Sequence, residues 1–375
     1  MLWMGKNGIL NNCNFINNTV RVHGGGLYWL GANGIITDSN FINNTAQNNN
    51  GGGISWNGPN GTITGSTFTG NKANVYGGGI SWDGANGTLT SSTFTNNAAK
   101  GGGGGGVFWY GNKGSIIDSN FTGNTAPNGG AVYLNANNGI VSDCIFTGNN
   151  ATQRGGGVYW FLHNGTLTGC NFDNNVANEA GGLYWNGVNG KLSTSTFTNN
   201  KVNVNGGGVH WAGRNGTIIS STFTGNTANN GGAIFWYYAN GTLSRCTFNN
   251  NTARGLGGAV YWNNMGYMNY CTFNNKLIIS NSRTNGIYAL NNLNINGGNG
   301  IIDLALNTNS VVSGTSIVVL NNETYYYPPD TNINLPNKII NKNFKQVLIN
   351  NSGHFKKFCA FCFFAYIFIF SIFFC

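Results

Sequence analysis

Phenylalanine returns along this chain at Phe15, Phe41, Phe68, Phe94, Phe121, Phe146, Phe172, Phe197, Phe223, Phe248 and Phe273, at intervals of 25 to 27 residues. That spacing constrains the fold more than any other feature. All ten tryptophans fall in a second register (Trp3, Trp29, Trp56, Trp82, Trp109, Trp160, Trp185, Trp211, Trp236 and Trp262), with Leu134 in the vacant slot. An aliphatic residue or Met stands five before each Phe, from Leu10 and Ile36 to Met268, and Gly stands seven before it. A fixed period of this length marks an array of supersecondary units that bury their apolar faces only against each other. One unit reads as glycines, a short strand ending in Trp, an Asn-Gly turn, a short aliphatic strand, the Phe strand and a polar corner.

Alternation in segments such as Thr62-Ile63-Thr64 sends the aliphatic residue to one face and the threonines to the other, the mark of a β-strand. Asn-Gly supplies the positive φ of a tight turn and would also close a hairpin. Against a meander or propeller, the same residue types recur at one register in every unit, as parallel coils stacked about 4.8 Å apart require. Only 7 % of residues are charged, against about 25 % in ordinary globular chains, so conventional charged amphipathic helices have no material. The leucine consensus of leucine-rich repeats and the calcium-binding Gly-Gly-x-Gly-x-Asp nonapeptide are both missing. The expected fold is all-β, a right-handed single-stranded parallel β-helix of about eleven coils over residues 1–275. Asparagine three residues after the Phe, as at Asn44, Asn71, Asn97 and Asn124, is expected to form an amide ladder.

The paired motifs, Gly-Gly-[Gly/Ala]-[Ile/Leu/Val] followed by Phe-x-x-Asn, resemble the repeats of chlamydial polymorphic outer membrane proteins. The fuller unit at 231–253 (Gly-Gly-Ala-Ile-Phe-Trp, Asn-Gly-Thr-Leu, Cys-Thr-Phe-Asn-Asn-Asn-Thr-Ala) is similar to adhesin-like surface proteins of methanogenic archaea. The resemblance implies a pectin-lyase-like solenoid and an extracellular or cell-surface location. It also implies a role in adhesion or cell contact, with no catalytic residues to carry over. Fold alone does not carry function, so the candidate sites must be weighed residue by residue.

From each Trp slot to the next Phe the count is twelve residues in every unit but the last. From each Phe to the following Trp slot it runs from thirteen to fifteen, so length variation is confined to one corner. Solenoids place such variation on a single face, often the one that binds. Arg21, Lys72, Lys100, Arg154, Lys201 and Arg254 fall on this edge against the lone acid Glu179. An extended, mildly basic edge for cell-surface glycans or anionic polymers is the expectation, with solvated loops as the plain alternative. No basic cluster with interleaved aromatics appears, so nucleic acid is not an expected partner. The outward neighbours of the Trp column (Tyr28, Phe108, Tyr133, Tyr159, Tyr184, Phe235 and Tyr261) are expected to form a second, exposed aromatic row.

The alternative from another class is a carbohydrate-active β-helix enzyme, a polysaccharide lyase or hydrolase. It rests on Asp38, Asp118 and Asp143, three before the Phe, the latter two stacking on consecutive coils at glycosidase or calcium-binding separation. Other units mostly put Gly, Ser or Thr there, and no Lys or Arg stands at that register nearby, Arg245 being coils away, so we expect no enzyme. Cys13, Cys144, Cys170, Cys246 and Cys271 share a slot that serine fills in six other units, which reads as a small-residue column. Cys144–Cys170 and Cys246–Cys271 would lie close enough for disulfides. His23, His163 and His210 fall in different units and registers, so neither metal nor cofactor is expected.

Met1 opens in mid-unit, which reads as a missing N-terminal part. After residue 275 the ladders fade; residues 276–345 read as degenerate coils and an exit segment. Residues 346–375 form a hydrophobic tail. Its last stretch, from Phe358, reads either as a marginal membrane span or as out-of-frame translation. The Cys359/Cys362 pair lies there.

Overall fold

The computed structural model describes residues 1–274 throughout and, beyond them, strands at 287–289, 293–306, 310–320, 323–326, 332–335, 347–349 and 355–357. The coil around Phe68 shows the unit. Its Trp strand is Ile54–Trp56, its aliphatic strand Thr62–Thr64, its Phe strand Thr67–Thr69, and a two-residue strand follows at Lys72–Ala73. Each strand pairs in parallel with its copies above and below and in exact register, Trp56 opposite Trp82 and Phe68 opposite Phe94. The short fourth strand repeats through ten coils as a separate sheet. The chain is therefore a parallel β-solenoid, and like residues meet like because every coil turns its corners at the same places.

Those corners are set by the left-handed backbone region. The Phe68 coil enters it four times, at Asn60 (φ 56°), Gly65 (59°), Gly70 (65°) and Gly77 (66°). Equivalent positions recur in the other coils, held mostly by Asn or Gly, the residues that visit this region at least cost. The turn chemistry differs from the sequence expectation in one respect. In Asn-Gly the Asn takes the positive φ, while the Gly is required by packing: a Cβ at Gly61 would collide with the Trp56 indole.

The interior is two stacked aromatic columns with aliphatics between them. Tryptophan rings lie 4.4–5.2 Å apart between centroids. Phenylalanine rings lie 4.6–5.2 Å apart and within 11° of parallel. From the second coil to Phe273 both columns are fully buried. Offset-stacked rings add attraction beyond their burial.

The asparagine ladder forms as expected, and it is buried. Asn71 Nδ2 donates to Asn97 Oδ1 (2.9 Å) and to the Phe41 carbonyl (2.8 Å), while its backbone N–H donates to the same Oδ1 (3.0 Å). The pattern repeats at Asn97, Asn124, Asn149, Asn175, Asn200 and Asn226. The continuous network leaves none of these ladder amides without partners, the condition under which polar groups belong in a core.

The small-residue column is equally regular. Ser66 Oγ donates to the Thr64 carbonyl (3.0 Å), and Cys144 Sγ makes the same bond to Ser142 (3.1 Å). Serine and cysteine therefore interchange because each caps the carbonyl two residues earlier. Cys144, Cys170, Cys246 and Cys271 are buried free thiols, so neither adjacent pair is bridged.

Past residue 274, Gly266–Asn274 pairs in parallel with Leu293–Leu306, which pairs in parallel with Ser310–Leu320. That strand then pairs antiparallel with Glu323–Tyr326 and Asn332–Leu335. The hydrophobic stretch 358–375 and Cys359/Cys362 lie outside the described residues. Among the described residues no helix is long and apolar enough to cross a membrane.

Candidate functional site

The variable edge begins at the fourth strand. Its second residue points inward in every coil, as Ala73, Ala99, Ala151 and Val202 do, and anchors the loop to the core. The first residue points out, and there stand Lys72 and Lys201. Arg21, Lys100 and Arg254 lie two residues further on, and Arg154 ends the strand Asn150–Arg154. All six are exposed and on one edge. Successive charges are one or two coils apart, roughly 5–10 Å along the axis. The row is thus a line of separated cations rather than a cluster.

Arg154 differs from the other five. Its Nε donates to Glu179 Oε2 at 3.2 Å, the one ion pair among the described residues, and its guanidinium lies 5.3 Å over the Tyr184 ring. It holds the loop onto the neighbouring face, and its charge is already engaged.

That neighbouring face corrects a sequence expectation. The aromatic row beside the tryptophans is not exposed: Phe108, Tyr159, Tyr184 and Phe235 are all at most 8 % accessible. Single-sequence alternation correctly sends them away from the main core, but the variable loops then lie against them. Tyr76 stacks on Phe108 (4.3 Å between centroids) and His23 on Tyr28 (5.3 Å). Tyr159, Ala180, Tyr184 and Ala212 make a small second core. His210 sits in this row between Tyr184 and Phe235, with centroids 4.6 and 4.9 Å away. Burial, with the Arg154 charge adding to it, holds its pKa down at about 3. Asp83, beside the same row, is pushed up by burial, which the charge of His23 partly offsets.

The carboxylate column has a backbone explanation. Asp38, Asp118 and Asp143 all occupy a left-handed corner, as Asn12, Gly65, Ser91, Gly169, Thr194, Ser220 and Arg245 do elsewhere in the column (φ 46–65°). Asp is among the non-glycine residues enriched in that region. Asp118 accepts a bond from the Ser91 hydroxyl at 3.2 Å, and both Asp118 and Asp143 are exposed on the outside of the coil. Among the described residues no three His, Cys, Asp or Glu side chains converge as metal ligands.

A second surface feature was missed in the sequence. At the corner after the Trp strand, Tyr237 and Tyr238 are both exposed and pack edge-to-face, with Arg214 over the Tyr238 ring. The signal was there: most coils place Gly where Tyr238 stands.

Residues 78–186 match the family model of a right-handed β-helix region, which supplies the hand of the coil. Residues 220–235 and 245–261 match the Chlamydia polymorphic membrane protein repeat. The resemblance to chlamydial repeats is thereby borne out. The likeness to archaeal adhesin-like proteins has no counterpart in these matches. No curated protein and no solved structure matches the chain.

Proposed function

We propose that this stack of right-handed β-helix coils, carrying polymorphic membrane protein-type repeats, is a non-enzymatic adhesin-like protein of the cell surface. Its variable edge holds glycans or anionic polymers weakly at many points. One observation carries the reading: core positions repeat coil after coil, while loop length and all six candidate cations vary on a single edge. A rigid line of weak sites gains strength by multivalency, since each attachment raises the effective concentration for the next. Attraction of this kind is screened within about 8–10 Å at ordinary salt.

The test replaces the five unpaired cations, Arg21, Lys72, Lys100, Lys201 and Arg254, by Ser and leaves Arg154 to hold its loop. Retention on immobilised polygalacturonate or heparin should fall several-fold at low salt and match the parent at high salt. Unchanged, salt-insensitive retention would overturn the edge reading. Turnover of a polysaccharide that Asp118→Asn and Asp143→Asn abolish would instead establish the enzyme alternative.

A further inference from the structure

The corner between the Trp strand and the Asn-Gly turn favours glycine, with Ala136, Leu162, Tyr238 and Asn264 as the exceptions. Its second residue is Gly at 31, 58, 84, 111, 187 and 213. A Cβ at any of these would collide with a backbone carbonyl of the preceding coil. In the Phe248 coil Tyr237-Tyr238 occupies this corner, and the ladders beside it are looser than those beside Ala136, Leu162 and Asn264, where the equivalent backbone bonds are 2.9–3.0 Å. The bond from Asn215 N to the Ala239 carbonyl stretches to 3.5 Å, against 2.8–3.0 Å at the equivalent bonds elsewhere. The outer amide bond Asn240 Nδ2 to Asn215 Oδ1 is 3.4 Å, where its counterparts along the ladder are 3.0–3.2 Å. Trp236 and Trp211 are the most widely spaced and most tilted pair in their column, at 5.2 Å and 16°.

The two tyrosines are exposed, at 42 % and 39 % accessibility. They are nonetheless held in place. Asn263 and Asn264 of the next coil both donate to the Tyr237 carbonyl, at 3.2 and 3.1 Å, and the two rings meet edge-to-face at 4.8 Å. Arg214 of the preceding coil lies 5.4 Å over Tyr238 and is exposed. Between Glu179 and Asp303 the sequence holds no acidic residue, whereas Lys191, Lys201, Arg214, Arg245 and Arg254 lie in that span. A preorganised aromatic pair beside an exposed guanidinium, in a positive region, suits a ring with an apolar face and a carboxylate. Tyrosine faces stack on the C–H face of a sugar, and the planar guanidinium matches a carboxylate with two parallel bonds.

We propose that Tyr237, Tyr238 and Arg214 form a binding subsite for a uronate residue of an acidic glycan. The proposal rests on the surface-adhesion reading, but it concerns one aromatic corner rather than the distributed basic edge. The experiment measures trigalacturonate binding to the full chain by titration calorimetry, with neutral galactotriose and an acidic hexapeptide as comparators. The double variant Tyr237→Ala/Tyr238→Ala should lose about tenfold in affinity, and Tyr237→Phe/Tyr238→Phe should retain it. Arg214→Gln should erase the preference for the acidic over the neutral sugar. Equal binding by parent and double Ala variant, tighter binding of the peptide, or no saturable binding of trigalacturonate would each overturn the subsite. The variant lacking the five edge cations provides the separation. If it loses polymer retention yet binds trigalacturonate normally, the subsite stands by its own contacts; if it loses both, trigalacturonate is held by the edge and the subsite falls.

Discussion

At the scale of single residues, most positions are fixed by what the coils above and below place beside them, and the exceptions carry information. Ala180 stands where other coils use a left-handed Gly, with φ 56°, and its methyl is buried among Tyr159, Tyr184 and Ala212. The extra contact offsets a backbone cost of about 1–2 kcal/mol. His210 is the clearest exception, an imidazole in a column of Phe and Tyr whose Nδ1 has no hydrogen-bond partner among the described residues. Its folded pKa is depressed to about 3 from an ordinary 6.5. Unfolded chains therefore take up a proton that the folded state refuses between those values. The stability contributed by neutral His210 is fully present above pH 6.5 and is lost as the pH falls toward 3, at up to about 1.4 kcal/mol per pH unit. His210→Phe, which copies the neighbouring Phe235, should remove that dependence. Urea unfolding at pH 7, 5.5 and 4 would then give a smaller acid loss in the variant than in the parent. Parallel losses in both proteins would show that His210 does not titrate against burial.

At the scale of the strand and its ladder, inward and outward positions should differ sharply in energetic weight. Phe146 is fully buried between Phe121 and Phe172, with ring centroids 5.1 and 4.6 Å away. Phe146→Ala should cost about 3–5 kcal/mol. Thr64→Ala, on the outward side of its strand, should stay within about 0.5 kcal/mol. Denaturant midpoints of the two variants decide the matter, and equal costs would mean that the Phe column does not carry the core. This contrast was legible in the sequence because inward residues repeat by type: Phe, Trp, aliphatic, Asn and Ser/Cys each hold one register. Two features were not legible. The αL corner that admits Asp118 and Asp143 is a property of backbone angle, and the mixed occupants Gly65, Ser91 and Thr194 betray it only once φ is known. The cover over Phe108 and Tyr184 depends on the path of the least regular loops, where no period guides inference. Alternation could say that these rings leave the main core, but not that Tyr76 and Arg154 meet them on the other side.

At the scale of the whole molecule, the solenoid is close to one-dimensional, because each coil bonds only to its neighbours and every coil offers the same register. Excision of one coil between equivalent positions should therefore be tolerated where excision of half a coil is not. Removing residues 147–172 joins Phe146 to Asp173, so Phe146 takes the sequence context of Phe172. The aliphatic strand Ile140–Ser142 then meets Lys191–Ser193 in place of Thr166–Thr168, with Leu192 under Val141 where Leu167 had been. The Trp column loses one indole but keeps its register, since Leu134 comes to lie under Trp185 as it had lain under Trp160. The edge loses only Arg154, whose partner Glu179 becomes free. The shortened chain should keep parental β-content per residue by circular dichroism and unfold cooperatively within a few degrees of the parent, the shift expected for roughly 1–2 kcal/mol in a chain of this size. Removing residues 147–159 instead joins Phe146 to Trp160 and puts an indole where the Phe strand should turn into the Asn ladder. The first inward residues after the junction, Trp160, Leu167 and Phe172, then take the slots of the outward Thr147, Arg154 and Tyr159, and the coil they belong to should fail to dock. If the half-coil deletion folds as well as the whole-coil deletion, the register is not set by stacked side chains. The solenoid would then owe its order to backbone pairing alone, and the separation between a fixed core and a free binding edge would lose its physical basis.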